Sequence, residues 1–259
     1  MHINARVIKL HLIGLLVAAF TVPVCTAQTP VQAAIEIQRQ RLSSSDPEDR
    51  RDALMKLGSM RRPEASRVAM AGLSDASPIV KAVAAKAILA IGPEESVAAL
   101  LPLLSDKDEF VRREVAYALG LTRSRSATSA LTGLLVNDKE DGVRAAAAVA
   151  LGEIGDESGV VTLSSVLAAD QNNKKREKNV FVMRAAAKSL GQIKSRAGVP
   201  ALVAALGNES LDGDIRREAA QALGGIGDPS TVPALRTAAN SGDPYLAQAA
   251  VNAIKKINP

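Results

Sequence analysis

A motif that returns at a nearly fixed interval constrains this chain more than any other feature of its sequence. The clearest copy covers residues 143–156 and reads VRAAAAVALGEIGD. The position of Ile154 has six equivalents along the chain. Taken in order, these seven positions are separated by 31, 31, 32, 39, 33 and 31 residues, and the equivalents are Met60, Ile91, Thr122, Ile193, Ile226 and Ile257. A period of about 20–50 residues indicates a fold built from stacked structural repeats.

Each repeat predicts two short helices joined by a tight turn. In the clearest copy, apolar residues at Val143, Ala147 and Leu151 recur at helical spacing, and Gly155 follows as a residue that commonly ends helices. A second apolar set with helical spacing covers residues 160–167. Neither helix can bury its apolar face alone, because both helices are short. The repeats are therefore expected to stack on one another.

Residues with a structural role recur in register across the copies. Large aliphatic residues stand three positions before Ile154 and its equivalents, and leucine stands nine positions after most of them. Small residues, alanine in six of seven copies, stand seven positions before and should let neighbouring helices approach closely. Helix N-caps are predicted fourteen positions before, at Asp46, Ser77, Asp108, Glu140, Asn179, Asp212 and Asp243. The pattern predicts one lead helix, six complete helix pairs and one final single helix.

The first 27 residues have the layout of a secretory signal peptide. Arg6 and Lys9 form a basic start, and the apolar run over residues 10–20 is too short for a comfortable membrane span. Small residues then lead to Ala27, after which we expect cleavage. The chain is therefore expected to be exported, to the periplasm of a Gram-negative cell and otherwise to the cell surface or the medium. A lipid anchor at Cys25 and an uncleaved amino-terminal anchor remain open as alternatives.

The predicted organisation is a signal peptide over residues 1–27, a lead capping helix with a linker over residues 28–45, and a repeat array over residues 46–259. The helix of the second segment is expected over residues 31–42. An insertion over residues 170–179 interrupts the array and accounts for its one long interval.

Removal of the signal peptide would leave a chain without histidine or cysteine, because His2, His11 and Cys25 are the only ones. Catalytic Ser-His-Asp and Cys-His sets and nearly all zinc sites need one of these residues. Loss of Arg6 and Lys9 would take two positive charges from the net charge of +5 and leave +3, below the level typical of nucleic-acid-binding proteins. The sequence therefore favours a protein that is not an enzyme, with no cofactor, no metal and no nucleic-acid partner.

The repeats resemble the HEAT-like repeats that are grouped with phycobilin lyases. The family pattern is V-R-x-x-A-A-x-A-L-G-x-I-G-D followed by V-P-x-L, and residues 143–156 and 215–228 match its first part closely. The resemblance covers about residues 46–257. It implies an all-α fold, a right-handed α-α superhelix or α-solenoid, with first helices outside and second helices lining the concave face. The third copy has Thr122 and Arg123 in place of I-G, which predicts a looser turn there.

Two surfaces are candidate sites for binding another protein or peptide. One is the second-helix face, which we expect to be concave. It carries Arg67, Ser129, Val161, Pro200 and Arg236. The other is the basic insertion, with Lys174, Lys175, Arg176 and Lys178. The alternatives are an ordinary exposed face for the first surface and a solvated loop between repeats for the second.

A basic residue recurs four positions after the N-cap, at Arg50, Lys81, Arg112, Arg144 and Arg216. This column is interpreted as a structural ladder in which each cation pairs with acidic caps or turn residues of its own or the next repeat. The nearby acids are Asp75, Asp106 and Asp138. A stripe for an anionic partner is the alternative.

Three functions follow from these features. The first is an exported, non-catalytic scaffold that binds another protein, because solenoids offer extended concave surfaces. The second, implied by the family resemblance, is an accessory or lyase-like subunit that assists an enzyme or the attachment of a chromophore. The third is a structural component of the cell envelope.

Overall fold

The computed structural model describes residues 29–168 and 179–258, and all the regular structure in these two ranges is helical. The α-helices of these ranges are α1 (Pro30–Arg41), α2 (Pro47–Ser59), α3 (Pro63–Ala69), α4 (Pro78–Ala87), α5 (Pro93–Leu100), α6 (Glu109–Thr122), α7 (Thr128–Asn137), α8 (Asp141–Ile154), α9 (Val160–Leu167), α10 (Val180–Ile193), α11 (Val199–Gly207), α12 (Gly213–Ile226), α13 (Val232–Ala239) and α14 (Pro244–Ile257).

The helices follow the period of the repeat, but their pairing differs from the prediction. The fourteen helices of the described residues pack as neighbouring pairs, from α1 with α2 to α13 with α14, so the predicted lone lead helix and unpaired final helix are wrong. We call α2, α4, α6, α8, α10, α12 and α14 the first helices, and α3, α5, α7, α9, α11 and α13 the second helices. Each first helix packs against the first helices before and after it, so the pairs stack in a row. The predicted all-α solenoid is confirmed.

The predicted N-caps stand at the starts of all seven first helices. Each of these residues has non-helical backbone angles directly before its helix. The side chains of Asp46, Asp108, Asn179, Asp212 and Asp243 accept hydrogen bonds from amides of the first turn. Ser77 and Glu140 occupy the cap position without such a bond. The starts of these helices are therefore fixed locally, by residues that satisfy otherwise unpaired amides.

The turn after each of α6, α8, α10 and α12 uses one left-handed residue. Gly155 and Gly227 adopt φ of 72° and 77°, where glycine carries no steric cost. Arg123 and Lys194 take the same conformation, with φ of 54° and 58°. The looser turn predicted at Arg123 is wrong, because Arg123 takes the left-handed backbone conformation that Gly155 and Gly227 take.

The core lies between the two layers of helices. Leucines at the predicted second-helix position are fully buried, and they are Leu100, Leu131, Leu163, Leu202 and Leu235. The small residues of the first helices are also fully buried, from Ala53 to Ala250. Contacts among these buried residues form one hydrophobic cluster that runs from α1 to α14. Stacking therefore gives short helices a shared core that no single pair possesses.

The closest approach between helix backbones occurs at glycines of the first helices. A Cβ atom placed on Gly120 or Gly191 would lie 2.8 Å from the Cα atom of an alanine in the next first helix, and on Gly224 it would lie 2.7 Å from the Cα of Ala253. Second helices contact one another much less closely along the row. The alanine column is buried as predicted, but the close approach itself depends on these glycines.

This difference in spacing decides which layer lies on the inside of the curve. A stack bends toward the layer whose members are closer together, and in this chain that layer consists of the first helices. The concave face is therefore formed by the first helices and the convex face by the second helices. The expectation that second helices line the concave face is wrong, and the reason is the glycine contacts, which draw the first helices together.

Candidate functional site

The second-helix residues proposed as a binding surface lie on the convex side of the stack. Arg67, Ser129, Val161, Pro200 and Arg236 are all exposed, and each stands on a different helix. The side chain of Arg67 lies 3.6 Å from that of Glu95 in an exposed ion pair. The role of these residues in binding remains a prediction.

The basic insertion lies outside the described residues. Lys174, Lys175, Arg176 and Lys178 belong to the range 169–178, for which the structure gives no placement. Their proposed role in binding stays a prediction from the sequence.

The basic column forms ion pairs in the first half of the chain. The Arg50 guanidinium donates to both carboxylate oxygens of Asp75, at 2.7 and 2.8 Å. Lys81 reaches Asp106 at 2.6 Å, and Arg112 binds both oxygens of Asp138, at 2.7 and 3.0 Å. Each cation thus pairs with the turn acid at the start of the next repeat. These pairs fasten consecutive repeats to one another.

The acids of these pairs also hold their own turns. Asp106 accepts a hydrogen bond from the amide of Asp108 at 2.9 Å, and Asp75 and Asp138 make the equivalent contact. The Arg50 guanidinium lowers the pKa of Asp75 below its usual value. Burial would raise the pKa of Asp106 and Asp138, but their cation and backbone donors outweigh it and hold both pKa values below the usual range.

The column changes partners in the second half of the chain. Arg144 pairs with Asp141 of its own helix and donates to the carbonyl of Asp138. Arg216 donates to the carbonyl of Leu206 at 3.0 Å, and Met183 stands at the column position of α10. The five cations are therefore engaged within the protein. This arrangement favours the structural interpretation over a stripe for an anionic partner.

Aromatic residues lie at one register position of the concave, first-helix face, where Phe181 and Tyr245 are exposed and Phe110 is half-buried. Phe110, Phe181 and Tyr245 share one register position, two residues after the N-cap, and Ile79 occupies it in α4. The rings of Phe181 and Tyr245 are largely exposed, at 71% and 73%. The sequence has one other aromatic residue after Phe20, which is Tyr117 on α6. We call this register position, from Ile79 to Tyr245, the aromatic column.

Arginine side chains and grooves lie beside residues of the aromatic column. The Arg113 guanidinium lies 5.1 Å from the ring centre of Phe110, and that of Arg217 lies 5.6 Å from the ring centre of Tyr245. Such cation–π contacts hold the arginine side chains over the rings. A groove of about 470 Å³ adjoins Phe110 across α2, α4 and α6, and one of about 380 Å³ adjoins Tyr245 between α12 and α14.

The sequence indicates this face at a position where the copies do not repeat one residue type. The register position two residues after the cap varies widely among copies, with glutamate, isoleucine, phenylalanine, glycine, aspartate and tyrosine. A buried position in a repeat array tolerates little such variation in size, so the column had to be exposed. The expectation that the first helices lie on the outside of the curve leaves this column out of the predicted sites.

Two further features are absent from residues 29–168 and 179–258. Within these ranges no three His, Cys, Asp or Glu side chains come together as a candidate set of metal ligands. None of the helices there combines the length and the apolar character that crossing a membrane requires.

The stacked pairs and the exposed concave face define the class of this protein as an α-solenoid of repeated helix pairs. The sequence profile of HEAT repeats matches residues 35–120, 66–152, 97–178 and 208–259, and that of the PBS lyase HEAT-like repeat matches residues 182–208. The chain therefore belongs to the HEAT repeat family. Comparison with curated protein sequences gave no significant match.

Several solved structures share the fold at low sequence identity. YibA of Escherichia coli is similar over 87% of this chain and 81% of its own, with 20% identity and a TM-score of 0.58. The complex of CpcE and CpcF of phycocyanin lyase from Nostoc sp. PCC7120 is similar over 92% and 90%, with 23% identity and a TM-score of 0.52. An engineered protein covers 87% and 68%, with 24% identity and a TM-score of 0.52.

Proposed function

We propose that this chain is an exported scaffold that binds another protein through its concave, first-helix face and catalyses no reaction itself. The aromatic column carries this proposal. Aromatic side chains are enriched at protein interfaces relative to the rest of the protein surface. Arginine held over an aromatic ring is a further feature of energetically important contacts.

The absence of histidine and cysteine after residue 27 supports a role without catalysis, because most nucleophile, acid–base and metal sites use them. The acids of the chain also have structural partners. Asp75, Asp106 and Asp138 join repeats, and Asp156 and Asp228 accept hydrogen bonds from serines in the turns before second helices. Export is proposed on the layout of residues 1–27 alone.

Crosslinking in intact cells, followed by mass spectrometry of the exported fraction, tests the proposal. We expect the chain without residues 1–27 in that fraction, crosslinked to a specific second protein. A full-length chain in the cytoplasm would contradict export. An exported chain that yields no crosslinked partner would instead favour the structural envelope component.

A lyase-like accessory subunit is the second candidate. It is supported by the PBS lyase HEAT-like match over residues 182–208 and by the fold shared with CpcE and CpcF, which form a complex in phycocyanin lyase. Incubation with a bilin and an acceptor protein tests it. A change in bilin absorbance that depends on this chain would replace the first proposal, and an unchanged spectrum would remove the second.

A further inference from the structure

Helix α4 is recessed between its neighbours α2 and α6. It presents Ala82 and Val83 at the register positions where α6 presents Arg113 and Glu114 and where α2 presents two charged residues. These short side chains leave a trough over α4.

The glycine column is interrupted at the same place. Gly58, Gly120, Gly152, Gly191 and Gly224 let successive first helices approach, but α4 is followed by Leu89 at this position. A leucine side chain cannot allow the approach of 2.7–2.8 Å that the glycines of α6, α10 and α12 permit. Helices α4 and α6 accordingly pack less closely than other neighbouring first helices. The trough is therefore a built feature of the chain.

The trough has an apolar lining. Met55 on α2, Ile79 and Val83 on α4, and Phe110 on α6 form its walls and floor. Met55 is 57% exposed although it belongs to a large apolar type. Neighbouring first helices lie about 8–10 Å apart, so the trough spans roughly 20 Å from α2 to α6, the length of about 13 helical residues. This size suits two or three apolar side chains of one short segment.

The charges at the α6 side of the trough favour an acidic segment. The Glu114 carboxylate accepts from Lys86 Nζ at 2.7 Å and from Arg113 Nε at 3.4 Å. Its side chain is only 15% exposed, whereas those of Lys86 and Arg113 are 53% and 39% exposed. The acid is therefore covered and the two cations face solvent. Both cations retain donors for an incoming carboxylate, because an ammonium has three and a guanidinium five.

We propose that this trough binds a short amphipathic segment of a partner protein, with apolar side chains seated against Met55, Ile79 and Phe110 and a carboxylate placed between Lys86 and Arg113. The inference rests on the proposed function and names its site and the chemistry of its partner. A second copy of this chain fits less well, because the chain without residues 1–27 keeps a positive net charge and two such molecules repel each other.

Site-specific photocrosslinking in cells separates this inference from the proposed function. A photoreactive phenylalanine analogue replaces Ile79 in the trough or Val161 on the convex face. We expect a partner adduct at Ile79, mapped by mass spectrometry to a segment with apolar and acidic residues. An adduct at Val161 alone would overturn the trough and the concave face but leave the binding of a partner intact, and no adduct at either site would contradict both the trough and the binding of a partner. An adduct of twice the chain mass at Ile79, or one on a basic segment, would also overturn the inference.

Titration of the crosslinked segment, as a fluorescein-labelled synthetic peptide, measures the contributions of the trough. We expect Lys86→Glu to weaken binding at least roughly tenfold, because it places like charge beside the acidic residue of the peptide. Lys56→Glu, an equal change in net charge on the exposed surface of α2, should leave affinity within about twofold.

Phe110→Ala and Val161→Ala form a second pair, because Phe110 lines the trough and Val161 is exposed on the convex face. We expect Phe110→Ala to weaken peptide binding by roughly tenfold or more and Val161→Ala to leave it unchanged. Thermal melting of each variant verifies that it folds. Equal affinities of all four variants would overturn the assignment.

Discussion

The two layers of this solenoid use the same kind of short helix in different ways. First helices approach one another at glycines, bury an alanine column and join consecutive repeats through ion pairs such as Arg112–Asp138. Second helices contribute large leucines to the core and present a mixed set of residues to solvent, including Arg67, Val161 and Pro200. The layer whose helices pack most closely is therefore also the layer that carries the exposed aromatic side chains.

This pairing of roles has a physical reason. A binding surface is most useful when its backbone is rigid, because fewer conformations are lost when a partner docks. Close packing below the first helices fixes the direction in which Phe110, Phe181 and Tyr245 project. The second helices contact one another less closely along the row.

The comparison of the two layers is wrong if the second helices contribute nothing to the core. Leu163→Ala, in the fully buried side of α9, should lower the free energy of unfolding by about 2–5 kcal/mol, because it leaves a cavity between the layers. Urea unfolding followed by circular dichroism measures the change. Val161→Ala in the same helix is the control and should stay within about 0.5 kcal/mol, since Val161 is 77% exposed. Equal effects would contradict a core shared by both layers.

Removal of one ion pair tests how firmly the first layer joins its repeats. Asp138→Asn should lower the free energy of unfolding by about 3 kcal/mol, because Arg112 then keeps a largely buried charge without a carboxylate. Glu36→Gln, which removes the exposed pair with Arg39 on α1, should cost no more than about 0.5 kcal/mol. A small effect of both changes would show that packing alone holds the repeats together.

The same pairs predict a dependence on pH. Asp75, Asp106 and Asp138 have lowered pKa values in the folded chain, so the unfolded chain binds more protons as pH falls. Their stabilising contribution is present above the ordinary carboxyl pKa of about 4 and is lost below it, as the folded carboxylates protonate. Melting temperatures between pH 6 and pH 2.5 measure this loss. Asp138→Asn should show a shallower decline, and an equally steep one would contradict the assignment.

Two glycine substitutions sharpen the contrast in packing. Gly224→Ala should destabilise the protein by about 1–3 kcal/mol, because the new Cβ would lie 2.7 Å from the Cα of Ala253. Gly133→Ala on α7 should instead stabilise it by about 0.5–1 kcal/mol, since its Cβ meets nothing within 4 Å and alanine favours helix. Opposite signs in urea unfolding are expected. The same sign for both would contradict the difference in packing between the layers.

The smallest effect is expected at the turn between the layers. Arg123→Gly should raise stability by about 1 kcal/mol, because glycine adopts the left-handed conformation without steric cost. Lys194→Gly should behave alike, since Lys194 has the same backbone angles. Thermal melting measures both gains. No gain in either variant would indicate that the turn relaxes when glycine is absent.

Much of the fold was accessible from the sequence, because the information was local and repeated. Helix starts at Asp46, Asp108 and Asp243 need only a side-chain acceptor and its nearest amides. The buried leucines needed only helical spacing and a partner layer. The stacking order then followed from the period, since each pair can bury its apolar face only against its neighbours.

The candidate site was less accessible, because it depends on distances between repeats. The residues proposed on the second helices lie on the convex side, and the aromatic column was not proposed at all. Deciding between the faces requires knowing which layer is more closely spaced. That spacing is set by glycines whose effect is visible only when the next helix is in place.

The sequence by itself determined the number, the ends and the buried sides of the helices, because caps, prolines and periodic leucines act within one repeat. Only the tertiary structure decided which layer faces inward, which acid each cation reaches, and where Leu89 and short side chains open a trough over α4. These properties depend on contacts between residues about one repeat apart, and the physical reason is steric. Two helix backbones can approach each other only as closely as the largest side chain between them permits.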